Sequence, residues 1–263
     1  MVVVLLTTAG LAGTLTACGE DTVRVSYRPP LGARYRHEVR VHSVTTTTLA
    51  GSGEDRTVDD LVLITEQTVL AADAEGVRVR VRLRQDGAPD RTFVVRLDRA
   101  AQLAGVETVE GLPPSVLGAD ALPQILPGAA GAPPDRPLAP GERWTIDAPA
   151  ALPDTVGARL QGSGRLVELG LSGGRKVAST RSSTRLPLSA TTPLRGSVVA
   201  LDGIETTDGT ATRALADGAV EQATTVTHGQ FRLTLGPVGT PAAAPVGGTL
   251  TLDVRSETRR LET

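Results

Sequence analysis

The residues best spaced for catalysis are Gly170-Leu171-Ser172-Gly173-Gly174, a G-x-S-x-G run followed in order by Asp202 and His228. Such a serine works when a strand precedes it and a helix follows, lifting the hydroxyl above a parallel sheet. Here Arg175-Lys176-Val177-Ala178-Ser179-Thr180 follows as a second strand pattern. Glycine and serine between two strands make a hairpin, so we expect no catalytic residue. Metal chemistry fares no better. His37 and His42 lie an odd number of positions apart on one strand and face opposite sides, while His228 with Gly229 falls in an expected turn. Asp59-Asp60 is a lone acidic dipeptide, and no dense carboxylate or thiol cluster supports a metal or other cofactor. Gly162-Ser163-Gly164 lacks the third glycine and the helix of a phosphate loop, and reads as a turn. Arg78, Arg80, Arg82 and Arg84 share one strand face, which suits an anion or a lipid headgroup. Acids such as Glu66 on the neighbouring strand make a solvated, ion-paired face the expectation there.

One residue remains whose setting points to a definite chemistry. Cys18 is the sole cysteine of the chain, so it has no intrachain disulfide partner. It follows MVVVLLTTAGLAGTLTA, seventeen residues without a charged side chain. That run is shorter than the roughly 20 apolar residues of a transmembrane helix and fits the apolar region of a secretory signal. Its end, Leu15-Thr16-Ala17-Cys18, resembles the lipobox of bacterial lipoproteins, in which small residues precede the cysteine that becomes the mature N-terminus. The resemblance implies a diacylglycerol thioether on Cys18, with residues 1–17 removed. The acidic Gly19-Glu20-Asp21 beyond it suits a solvated tether.

Composition narrows the partners. The formal charge of −2 over 263 residues gives no reason to expect nucleic acid. Lysine occurs once, at Lys176, and asparagine not at all, a bias typical of a high-GC genome. Aromatic residues make up 2 % of the chain, so Val, Leu, Ile and Ala must build the core, and sugar binding by ring stacking is disfavoured.

The elements that must position any site are strands. Val23 to Tyr27 alternates until Pro29-Pro30, and Arg34 to Val44 alternates with Tyr35, His37, Val39 and Val41 on one face. Val58 to Ala72, Val77 to Arg84 and Thr92 to Leu97 continue a meander with turns at Asp73–Gly76 and Asp86–Asp90. Residues 100–140 change character, being rich in Ala, Gly, Leu and Pro, with a short helix expected over 115–126. Strands then return, including Val198–Leu201, Thr206–Leu215, Val220–Thr227 and Phe231–Leu235 as separate segments. Both halves open on Gly-x-Arg-aromatic: Gly32-Ala33-Arg34-Tyr35 and Gly141-Glu142-Arg143-Trp144. The expected organisation is a signal peptide over 1–17, a lipidated tether and first strand over 18–28, an N-terminal β region over 29–127, a linker over 128–140 and a C-terminal β region over 141–263. The fold class is mainly β: curved antiparallel sheets or a half-barrel, in one large unit or two related halves, with one helical or proline-rich interruption.

Lipobox, β-rich mature region and Gly-x-x-aromatic strand starts together resemble actinobacterial lipoproteins of uncharacterised families. More distantly, the architecture is similar to the LolA- and LppX-type lipoprotein carriers, whose curved sheet encloses an apolar cavity. That implies a non-enzymatic protein at the extracytoplasmic face of the cell membrane, held through the lipid on Cys18. Its partner would be an apolar ligand or lipid, or another envelope protein. The alternative is a structural or interaction module with a filled core and no small-molecule ligand.

Overall fold

A computed structural model describes residues 22–99, 101, 103–109, 133–149, 158–194, 197–237 and 245–262. Cys18, with Leu15, Thr16 and Ala17, lies outside the described residues, as does the helix expected over 115–126. Among the described residues every regular element is a strand: β1 (Val23–Arg24), β2 (Arg34–Leu49), β3 (Glu54–Ala72), β4 (Gly76–Gln85), β5 (Arg91–Asp98), β6 (Leu103–Val109), β7 (Pro137–Leu138), β8 (Arg143–Pro149), β9 (Arg159–Ser172), β10 (Arg175–Leu194), β11 (Ser197–Ala214), β12 (Val220–Pro237) and β13 (Val246–Leu261).

Eleven strands form one antiparallel sheet in the order β6-β5-β4-β3-β2-β13-β12-β11-β10-β9-β8, and β1 pairs with β7 apart from it. The sheet is two meanders fused where β2 pairs with β13 along fourteen residue pairs, from Leu49↔Gly248 to Arg36↔Leu261. The period-2 pattern explains the faces. Tyr35, His37 and Val39 alternate inward with Leu63, Thr65, Gln67 and Val69, and then with Val77, Val79 and Val81, while the arginines between the valines of β4 face outward. Residues 137–138 of the expected linker are the strand β7.

Curvature follows from what the first described residues touch. Val25 is fully buried among Trp144, Ile146, Leu166 and Ala178 of β8, β9 and β10. Tyr27, two residues on, is buried with Phe93, Leu97, Ala101 and Leu103 around β5 and β6. Two residues of chain span at most about 7 Å. A flat sheet of this width would hold its edge strands roughly 48 Å apart at about 4.8 Å per strand. The sheet is therefore rolled at this end, an open half-barrel whose two edges come within reach of one strap, residues 23–28. Tyr27 N–H donates to Arg99 O at 2.8 Å and Arg28 N–H to Asp217 O at 2.7 Å, tying the strap to both meanders.

The two Gly-x-Arg-aromatic segments build the same turn. Gly32 N–H donates to Val69 O and Val69 N–H to Ala33 O, both at 3.0 Å; Gly141 N–H donates to Leu166 O at 2.7 Å and Leu166 N–H to Glu142 O at 2.9 Å. Both glycines take positive φ, +77° and +87°, and both following aromatics are buried. Other glycine segments depart from expectation. Gly162-Ser163-Gly164 lies inside β9 and His228-Gly229 inside β12, so neither is a turn, and the segments expected as separate strands around residues 202–205 and 228–230 merge into β11 and β12. The glycines make room for the few aromatics: a Cβ on Gly164 would lie 2.1 Å from the Trp144 ring, and one on Gly229 2.6 Å from Phe231 Cε2.

Candidate functional site

The residues singled out for chemistry do not converge. Ser172 sits at the end of β9, beside a hairpin turn through Gly173 and Gly174, both at positive φ, with strand on either side. Asp202 pairs with Arg232, and His228 with Asp253 at 2.5 Å, so no serine–histidine–aspartate relay is assembled. His42 is exposed and bonds Asp60 Oδ1 at 2.8 Å, while His37 is buried and its Nε2–H donates to Val220 O at 3.1 Å. Among the described residues no group of three or more His, Cys, Asp or Glu side chains is placed to hold a metal. The Arg78–Arg84 row is largely neutralised: Arg78 pairs with Glu107, Arg82 with Asp90 at 2.6 Å and Arg84 with Glu66 at 3.3 Å.

Inside the rolled end lies a small polar nest. Tyr35 O–H donates to Asp217 Oδ2 at 2.7 Å, and the Arg260 guanidinium lies 5.0 Å from the Tyr35 ring centre. Arg260 and Arg175 both hold Glu221, at 2.7 and 2.9 Å. Arg213 is fully buried and donates to Gly218 O at 3.2 Å; burial pushes its pKa down to about 10, with Tyr27 and Asp98 opposing that shift. Burial likewise raises the Tyr27 phenol, and pushes the His37 ring down to about 4. Tyr27, Tyr35, His37, Gln67 and Arg213 line a cavity of about 20 Å³, room for one water and too small for an organic ligand.

Where β9 to β13 continue the inner face, hydroxyls are interleaved with the buried apolar side chains of Leu186, Phe231, Leu233 and Val254. Thr180, Thr184, Thr207, Thr227, Ser256 and Thr258 point inward, with Thr207 and Thr227 hydroxyls 2.9 Å apart and Thr180 Oγ1 donating to Ala211 O at 3.2 Å. The Thr184 hydroxyl likewise donates to Thr207 O at 3.4 Å.

The outer face of the same strands carries the notable site. Cross-strand register places Arg143 opposite Arg165, and Arg165 opposite Arg181. The row continues through Thr210 and Thr224, and the next row on that face reads Ser163, Ser183, Asp208, Val226. These side chains line a groove of about 570 Å³, floored by the backbone at Gly164, Ser182 and Gly209. All three arginines are exposed, and among the described residues none has a carboxylate within ion-pair distance. Most of the other arginines on the sheet are paired, as Arg40 is with Glu38 and Arg255 with Glu257. Like charges directly opposed across a sheet destabilise it, so three in a row with no carboxylate at ion-pair distance among the described residues is an arrangement the fold alone would not favour. A β-bulge at Val167, between the Leu166 and Glu168 pairings, adjoins the row. Bulges sharpen local twist and re-aim side chains. A ladder of guanidiniums with hydroxyls beside it binds oxyanions: each fork donates two parallel hydrogen bonds to a phosphate or carboxylate.

None of these three arginines stood out in the sequence, because they lie 22 and 16 positions apart and meet only through register. The chain matches no described protein family and no curated protein. Among solved structures it has a likeness to OccK2 (OpdF) of Pseudomonas aeruginosa, in a complex with glucuronate, at 8 % identity and TM-score 0.21, covering 87 % of this chain and 97 % of that one. It has another to a loop-deletion mutant of OmpT, an outer membrane protein of Vibrio cholerae, at 8 % identity and TM-score 0.17, covering 87 % of this chain and 100 % of that one. Overlaps this weak do not amount to a shared fold.

Proposed function

We propose that this chain is a non-catalytic binding protein of the cell envelope, anchored through lipid on Cys18 at the outer face of the cytoplasmic membrane, with an anionic ligand held in the arginine groove. The observation that carries the reading is the row Arg143, Arg165 and Arg181, opposed across strands and lacking counter-ions among the described residues. An apolar ligand has less to recommend it: the nest at the rolled end has room for one water. The anchor rests on the lipobox. Five positions separate Cys18 from Val23, at most about 18 Å of chain, so the strap end of the half-barrel would face the membrane.

Two experiments test the two parts. Labelled palmitate should enter the wild-type chain and not Cys18→Ser; equal labelling of both removes the anchor. Titration calorimetry of the Cys18→Ser chain with pyrophosphate should show binding that Arg165→Ser loses. No heat with either protein leaves a structural module without a ligand in that groove.

A further inference from the structure

The chemistry of the groove changes along its length, and that gradient says more about the ligand than its charge. Three guanidiniums stand on three adjacent strands, at intervals of about 4.8 Å, a cationic track of roughly 10 Å. One strand farther, on β11, the charge reverses at Asp208, beside the hydroxyl of Thr210, and on β12 the lining is Thr224 and Val226. A single oxyanion engages one or two forks and leaves the remaining repulsion unrelieved. A negative group over Asp208 is repelled, whereas a hydroxyl there donates to the carboxylate.

We propose that the groove selects a linear oligoanion, whose successive phosphate or carboxylate groups lie on Arg143, Arg165 and Arg181 and whose hydroxyl-bearing remainder extends over Asp208 and Thr210. This rests on the reading of the groove as an anion site. An anionic membrane surface is the weaker occupant. A bilayer surface would bring its anionic headgroups over the whole groove, and Asp208 in that groove repels them.

The test is the affinity of the full mature chain, carrying Cys18→Ser, for orthophosphate, pyrophosphate and tripolyphosphate at fixed ionic strength. Each added phosphate should tighten binding about tenfold, since each engages a further charge-assisted pair. Arg165→Ser, which removes the middle cation, should lose at least tenfold for tripolyphosphate. It should also raise the ligand-free melting temperature by about 1–3 °C, because two like-charge contacts disappear. Arg165→Lys should bind at an intermediate level without that rise; Arg181→Gln serves as a second neutral variant if the serine protein folds poorly. Equal affinity for all three phosphates overturns the oligoanion and leaves the anion reading intact. Capture by phosphatidylglycerol vesicles with no binding of soluble phosphates overturns it in favour of a membrane surface. A neutral variant that binds tripolyphosphate like wild type overturns it as well.

Discussion

His37 and Arg165 sit on strands of the same sheet and show opposite ways of placing an ionisable group. The His37 imidazole faces inward, donates through Nε2–H to Val220 O, and has its pKa pushed down to about 4 chiefly by burial, with Arg260 adding to the effect. Between an ordinary histidine value near 6.5 and that value, the unfolded chain holds a proton that the folded chain does not. The stability contributed by the neutral ring is therefore complete above about pH 6.5 and drains away as pH falls toward 4. Denaturant unfolding across that window should lose roughly 3 kcal/mol in the wild type, and His37→Gln should flatten the profile. An unchanged slope in the variant would place the acid sensitivity elsewhere. Arg165 faces outward, opposite Arg143 on one side and Arg181 on the other.

At the level of strands, the packing of Gly164 beneath Trp144 depends on the missing side chain. A Cβ there meets the ring at 2.1 Å, so Gly164→Ala should cost about 1–3 kcal/mol by displacing the indole from its place over Leu166 and Val25. Pairing it with Trp144→Leu should recover part of that loss in thermal unfolding, because the smaller side chain vacates the overlap. The same position shows what a linear reading can and cannot reach. Alternation of valine with arginine in β4, or of Tyr35 and His37 with charged residues in β2, states a period of two within a few residues, so those strands and their inward faces are legible. A glycine in a strand resembles a glycine in a turn until the aromatic that covers it is known. That is why Gly162–Gly164 and His228–Gly229 read as breaks. The candidate site was illegible for a related reason: the arginine row is a property of register between β8, β9 and β10, and each member alone is an ordinary outward residue of its strand. The inward threonines are ambiguous too, since threonine favours strands on either face.

For the whole molecule the strap over 23–28 is the joint between two cores. Val25 belongs to the cluster at β8–β10 and Tyr27 to the one at β4–β6. Tyr27→Ala should destabilise by about 3 kcal/mol, as large-to-small core changes do. It should also uncover apolar surface at the rolled end, read as increased binding of a hydrophobic dye before global unfolding. A loss confined to local stability, with no dye signal, would mean that the two edges hold together without the strap.

The pairing of β2 with β13 has a consequence for how the chain comes into being. Partners such as Thr48 and Thr249 lie about 200 residues apart, so the seam between the meanders closes only when almost all of the described chain is present. Contacts this distant carry a large loop-closure cost and slow folding. Until β13 arrives, β2 and β12 are bare edges with unpaired amides and carbonyls. A chain threaded N-terminus first across a membrane would thus stay unsealed through most of its passage, and chaperone demand should peak in the interval before that last strand emerges.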